Sequence, residues 1–169
     1  QRQGVALRLG ASIAGVRRDA GAVAVRVQGD EWESFDDVVM ATHSDDTLAL
    51  LSDATPAETA ALSAVRYQPN SAVLHADESL MPRLRKCWSS WVYVEPAGPR
   101  PERIDLTYWM NSLQPIPHDD PMFVTLNSNR PIRQELIYDE VTFRHPVYDL
   151  AAITAQGQIR DKAEVFQAE

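Results

Sequence analysis

The sequence predicts an α+β fold, and three observations carry that expectation. Stretches with period-2 or compact apolar patterning outnumber helical ones, and Pro- and Gly-containing turns separate them. Two helix starts with capping signals lie between an early group of strands and a later one. Helices therefore gather in places rather than alternating with strands, which favours a mixed, largely antiparallel sheet with flanking helices.

The early group starts at residues 5–9, VALRL, whose alternation of apolar and polar positions reads as a strand. Residues 13–18 and 22–27 are β-leaning, and Asp19-Ala20-Gly21 joins them in a hairpin-type turn where glycine takes positive φ at little cost. Residues 35–40 end in the apolar run Val38, Val39 and Met40, as expected of a strand covered on both faces.

A helix is expected over residues 44–51, capped by Ser44, with Asp45 and Asp46 at its positive end. Thr55-Pro-Ala-Glu58 predicts a second helix, with Thr55 as the cap, Pro56 at the first position and Glu58 completing a capping box. Ala60, Ala61 and Ala64 give that helix small residues for close packing. Strands follow over residues 72–75, 88–94, 104–110, 122–126 and 135–143, separated by the Pro-rich connections 96–99 and 115–117. A closing helix is expected from Pro146 through Ala151, Ala152 and Ile159, with proline in its first turn. No internal repeat or low-complexity tract is present.

A chain of 169 residues with 44% hydrophobic content can bury a sizeable core and fits one domain or one and a half. The net charge of −8, with no basic cluster beyond Arg83-Leu84-Arg85-Lys86, argues against binding to a nucleic-acid backbone. The single cysteine, Cys87, cannot form an internal disulfide, and no charged-then-apolar leader or long apolar span occurs. A cytoplasmic chain without a transmembrane segment is expected. The chain starts without Met and runs directly into a strand pattern, which is expected of a piece of a longer protein.

Ligands in open α/β sheets sit beyond the carboxyl ends of strands, where the chain turns into a helix. Residues 40–46 have that character: Ala41 and Thr42 are small, and His43 and Ser44 precede the helix. The competing explanation is a well-capped helix start with no ligand. His43, His75, His118 and His145 are widely separated, and no metal site is expected from their spacing. Cys87, beside Trp88 in an apolar strand, reads as a buried inert thiol. No G-x-S-x-G elbow is present. Trp88, Trp91, Tyr93, Tyr108 and Trp109 could line an apolar pocket or simply pack a core, with Trp91 and Tyr93 on one strand face and Trp88 and Ser90 on the other. Asn111 and Asn127 each end an apolar strand, as polar tips at a pocket rim or as strand punctuation.

Several phrases in order, FDDVVMATHSDD at 35–46, PN at 69–70, LHAD at 74–77, MPR at 81–83, WSSW at 88–91, TYWMN at 107–111, FVTLN at 123–127 and HPVYD at 145–149, resemble bacterial flavin-containing amine-oxidase-like proteins. The resemblance spans residues 4–158. It implies a monoamine-oxidase-like flavoprotein with a Rossmann-like FAD domain and an interleaved substrate domain. On that likeness, residues 1–53 are the later part of the FAD-binding domain, 54–145 the substrate domain and 146–169 a truncated helical segment. The backbone of Ile13 would then lie beside the adenine, and Ala41, Thr42 and His43 near the dinucleotide. The substrate pocket expected from the aromatic strands comprises Trp91, Tyr93, Tyr108, Trp109 and Asn111. The family's G-x-G-x-x-G phosphate loop and its later glycine-rich flavin segment are absent, and Val92 stands where relatives often carry Asn. FAD is therefore expected in a full-length parent, oxidising a small or lipid-like substrate by hydride transfer, and no catalytic residue is identified. The alternative is a non-enzymatic α+β binding domain that uses an aromatic strand face.

Overall fold

Gly21 takes a φ of +77° in the two-residue link between Asp19 and Ala22, so the first hairpin forms where the sequence places it. Its arms are β1 (Ile13–Asp19) and β2 (Ala22–Val27), and β3 (Trp32–Phe35) adds antiparallel to β2 in the order β1-β2-β3. Gly15 sits at a close approach: a Cβ there would lie 3.1 Å from Ser52 Oγ and 3.2 Å from the Trp32 ring, and those side chains would have to give by a few tenths of an ångström. The computed structural model describes residues 4–95, 98 and 103–163, with side chains to residue 160. The predicted connection at residues 96–99 lies outside the described residues except at Gly98, as does the tail from residue 164.

Two of the early strands are corrected. Residues 5–9 form no strand, and the strand placed at 35–40 ends at Phe35. A strand exists only if a neighbour takes up its backbone groups, and among the described residues neither segment has a ladder partner. Val38 and Met40 remain half-buried, whereas Leu9 and Val39 are each 90% exposed.

Helix α1 spans Ser44–Leu50, and its cap is His43 rather than Ser44: His43 holds extended dihedrals, and its carbonyl accepts the first helical bond from Thr47 N at 2.7 Å. Helix α2 (Pro56–Ser63) starts as expected. Thr55 Oγ1 accepts from Glu58 N at 3.2 Å, and Glu58 Oε2 accepts from Thr55 N at 2.7 Å. Of its small residues only Ala61 is buried; Ala60 faces solvent and Ala64 is half-buried, since one helix stripe alone meets its neighbours. Arg18 ties β1 to this helix through Asp53 at 3.0 Å and Glu58 at 2.8 Å. The Arg18 hydrogen bond pulls the Glu58 carboxyl down to about 2, against the opposing effect of burial.

The later strands form a five-stranded sheet, ordered β5-β6-β7-β4-β8. They are β4 (Arg66–His75), β5 (Trp91–Tyr93), β6 (Leu106–Trp109), β7 (Phe123–Leu126) and β8 (Ile137–Val147). β5 is shorter than the 88–94 expected because a 3-10 turn, Arg85–Cys87, precedes it. Cys87 is exposed on that turn, not buried in a strand, and Trp88 is fixed by its indole N–H donating to Pro82 O at 2.8 Å. Pro146 lies in β8, not in a helix, and an edge strand tolerates its missing N–H. The last helix, α3 (Leu150–Ala163), starts where the Asp149 carboxylate accepts from Ala152 N at 2.9 Å.

The chain divides into two units, one of residues up to Arg66 together with those from Pro146, the other of residues 67–145. The first of these units includes α2, which packs against α1 and α3. The architecture is α+β. No described helix is long and apolar enough to cross a membrane.

Candidate functional site

Directly opposed residues in antiparallel strands share a face, so the ladders sort the side chains of the 67–145 unit. Trp91 pairs with Tyr108, Tyr108 with Val124, and Val124 with Leu74. Tyr93 continues through Leu106 and Leu126 to Ala72 in the same way. These two rows make one apolar face. Trp91 is 57% and Tyr93 41% exposed, and Leu74, Leu106, Tyr108, Val124 and Leu126 are half-buried.

The opposite face is closed. Phe123 is fully buried, stacks on His75 at 5.6 Å between ring centroids and receives the edge of Trp88 at 5.6 Å. Trp109 joins this side through its pairing with Phe123 and its edge contact with Trp88 at 5.2 Å. The expected aromatic pocket set is therefore split: Trp91, Tyr93 and Tyr108 share the open face, and Trp109 belongs to the packed one.

Beneath Phe123 runs a buried polar chain. His75 Nδ1 accepts from Asp77 N at 3.0 Å, which places the neutral ring's proton on Nε2. That N–H donates to Thr125 Oγ1 at 2.7 Å, and Thr125 shares a 2.9 Å hydrogen bond with Thr107 Oγ1. Burial holds His75 below its ordinary value of 6.5, with Asp77 opposing weakly. Burial alone would push the Asp77 carboxyl up, but hydrogen bonds from the Arg133 side chain and backbone and from Ser79 outweigh it, and the group lies well below the usual carboxylate range. This arrangement is chemically a locked neutral imidazole, unsuited to releasing and recapturing protons at a surface.

The unfolded chain binds the His75 proton near 6.5 and the folded chain only at lower pH, so stability falls as pH drops below 6.5 and levels off below the folded value. Urea midpoints between pH 7 and 5 should show a slope from this group of at most about 1.4 kcal/mol per pH unit. The slope should shrink in His75→Gln; an unchanged slope would assign it elsewhere.

Asn111 also leaves the pocket set. Its Nδ2 donates to Pro117 O at 2.6 Å and Asp120 O at 2.7 Å, and its Oδ1 accepts from Met122 N at 2.8 Å. It closes its own loop. Asn127, at a φ of 48°, likewise clamps strands, accepting from Ser71 N at 3.1 Å and donating to Asn70 Oδ1 at 2.8 Å.

In the other unit, Ile13 opens β1 and is partly exposed beside a bulge before Gly15. Ala41 and Thr42 are exposed. The Thr42 hydroxyl is engaged with Thr47 Oγ1 at 2.7 Å, and His43 Nδ1 lies 3.8 Å from Asp46 Oδ2. His43, Asp45 and Asp46 bring ligand-type atoms within 4.8 Å of one another, a grouping that sequence reading passed over by assigning both acids to the helix start. The sequence has two further His/acid groupings, His75-Ala-Asp77 and His118-Asp119-Asp120; in the first Asp77 is consumed by N–H donors, and in the second His118 packs against Trp109 at 5.3 Å. For a dinucleotide the donor set is incomplete. The chain contains no G-x-G-x-x-G loop, and Thr42 spends its hydroxyl internally, so these residues alone do not fit a bound FAD.

The fold class is thus an α+β arrangement of an antiparallel meander with helices and a five-stranded sheet. Among solved structures, it is similar to the CLA-producing fatty acid isomerase from P. acnes, with 17% sequence identity and a TM-score of 0.54 over 92% of this chain. That alignment spans 40% of the isomerase chain. No family model matches the sequence, and no curated protein does.

Proposed function

We propose that this chain is part of an FAD-dependent enzyme of the amine-oxidase superfamily that acts on an apolar, lipid-like substrate. The observation that carries the reading is the open face of Trp91, Tyr93 and Tyr108 with Leu106, Val124 and Leu126, in a fold like that of a fatty acid isomerase. Such a face offers a long hydrocarbon apolar contact at about 25 cal/mol per Å² and no fixed charge. The ordered phrases from FDDVVMATHSDD to HPVYD support the flavin half of the reading. On it, residues 1–53 flank the dinucleotide, residues 54–145 hold the substrate and the enzyme works in the cytoplasm. FAD would supply the hydride acceptor. This chain's residues supply the apolar wall, and the phosphate loop would come from the rest of a longer parent.

The test is purification of the full-length protein containing this chain. Expected results are a yellow protein that releases flavin on denaturation, and turnover of unsaturated long-chain fatty acids in preference to short amines. A colourless protein that takes up no added FAD would overturn the enzyme reading. The open aromatic face also favours the second reading, a binding domain, and fatty-acid binding by a flavin-free protein would select it.

A further inference from the structure

The one basic run of this acidic chain leads into the 3-10 turn before β5, and its side chains point outward. Arg83, Leu84, Arg85 and Lys86 are all exposed, Leu84 to 59%. Arg83 and Lys86 form no hydrogen bond or ion pair with any described residue. Arg85 is spoken for: its guanidinium lies 4.7 Å over the Trp88 ring, donates to His118 O at 3.2 Å and sits 3.6 Å from Glu78. These contacts, with Cys87 N donating to Leu84 O at 2.8 Å, set the turn's shape before any partner arrives. The backbone of the turn therefore needs little ordering on binding.

We propose that this turn docks the protein peripherally on an anionic lipid surface, with Arg83 and Lys86 on headgroup phosphates and Leu84 entering the interface between them. Two free cations on either side of an exposed apolar residue match a headgroup layer over hydrocarbon. A nucleic acid would need a longer track of phosphate contacts, and the rest of the chain carries the wrong sign for it. The net charge of −8 does not forbid the contact, because a Debye length of about 8–10 Å confines repulsion to acids close to the turn. Glu78 is offset by Arg85, which leaves Asp119 and Asp120, next to His118, as the acids named by that neighbourhood. Binding is therefore weak and salt-dependent.

The full-length protein should co-sediment with vesicles of phosphatidylcholine mixed with phosphatidylglycerol, and not with phosphatidylcholine alone. Each cation near the surface contributes about a fivefold factor, so Arg83→Gln with Lys86→Gln should weaken partitioning about 25-fold. Arg83→Lys with Lys86→Arg should retain it, and Leu84→Ser should reduce it with its charge intact. Unaltered thermal unfolding of each variant separates a docking defect from misfolding. Absent binding to the mixed vesicles, equal binding to both compositions, or full binding by the Gln pair would overturn the proposal. So would selective loss of RNA binding in that pair without any vesicle binding. The outcome does not depend on flavin content, so a colourless protein leaves the docking question intact.

Discussion

Phe123→Ala should destabilise the 67–145 unit by about 3–5 kcal/mol, the range for emptying a buried aromatic site. Phe123 is fully buried, stacks on His75 and receives the Trp88 edge, so its loss opens a cavity against rings that cannot collapse into it. Trp88 and Trp109 lie in edge contact on the same side, which makes tryptophan fluorescence a local reporter of the transition. A denaturation midpoint that moves by less than about 1 kcal/mol would mean that the two sheet faces have been assigned the wrong way round. Phe143→Ala, on exposed β8, is the matched control and should change little.

Asp77→Ala is expected to cost about 3 kcal/mol, chiefly because it strands two backbone donors. Asp77 is fully buried, and its carboxylate accepts from Ser79 N at 3.0 Å and Arg133 N at 3.0 Å. The Arg133 side chain adds a bond at 3.1 Å, but it is 58% exposed, so solvent screening leaves that pair a small share. Arg133→Met should therefore lose well under 1 kcal/mol by calorimetry. Equal losses in the two variants would show that the ion pair, not the backbone bonds, holds the turn. Because the folded Asp77 value lies below the ordinary 3.8, its stabilisation is present above that pH and is lost as pH falls toward the folded value. His75 and Asp77 thus both weaken the unit in acid, the imidazole from 6.5 downward and the carboxylate from 3.8 downward.

The features legible in the sequence are the local ones. Thr55 and Glu58 are three residues apart, and their capping box forms as the spacing dictates. The Ala20-Gly21 link is local too, since only glycine takes its φ of +77° without strain. Within β5, parity alone puts Trp91 and Tyr93 on one face. The candidate site was partly visible for the same reason: three of its aromatics were marked by composition and alternation. Parity also puts Tyr108 and Trp109 on opposite faces of β6, but only the ladders, pairing Trp91 with Tyr108 and Trp109 with Phe123, decide which of the two joins the open face.

Errors arose where a state depends on a partner. Residues 35–40 read as a covered strand, but strand structure requires a neighbour's backbone, and the ladder stops at Phe35. Cys87 looked buried beside Trp88 until a 3-10 turn took it to the surface. For Asn111 the sequence left pocket rim and strand punctuation open, and its three hydrogen bonds go to Pro117, Asp120 and Met122.

By itself the sequence determined the α+β class, the capped start of α2, the first hairpin and the basic run at Arg83 to Lys86. Each rests on dihedral preference, short-range hydrogen bonding or charge, all of which act within a few residues. Only the tertiary structure decided which aromatics share an open face, that burial lowers the His75 value while Thr125, fifty positions away, takes its Nε2–H, and that Asp77 is held as a carboxylate by Arg133. Those outcomes depend on strand register and burial, which bring distant residues within hydrogen-bond reach and set the dielectric around them.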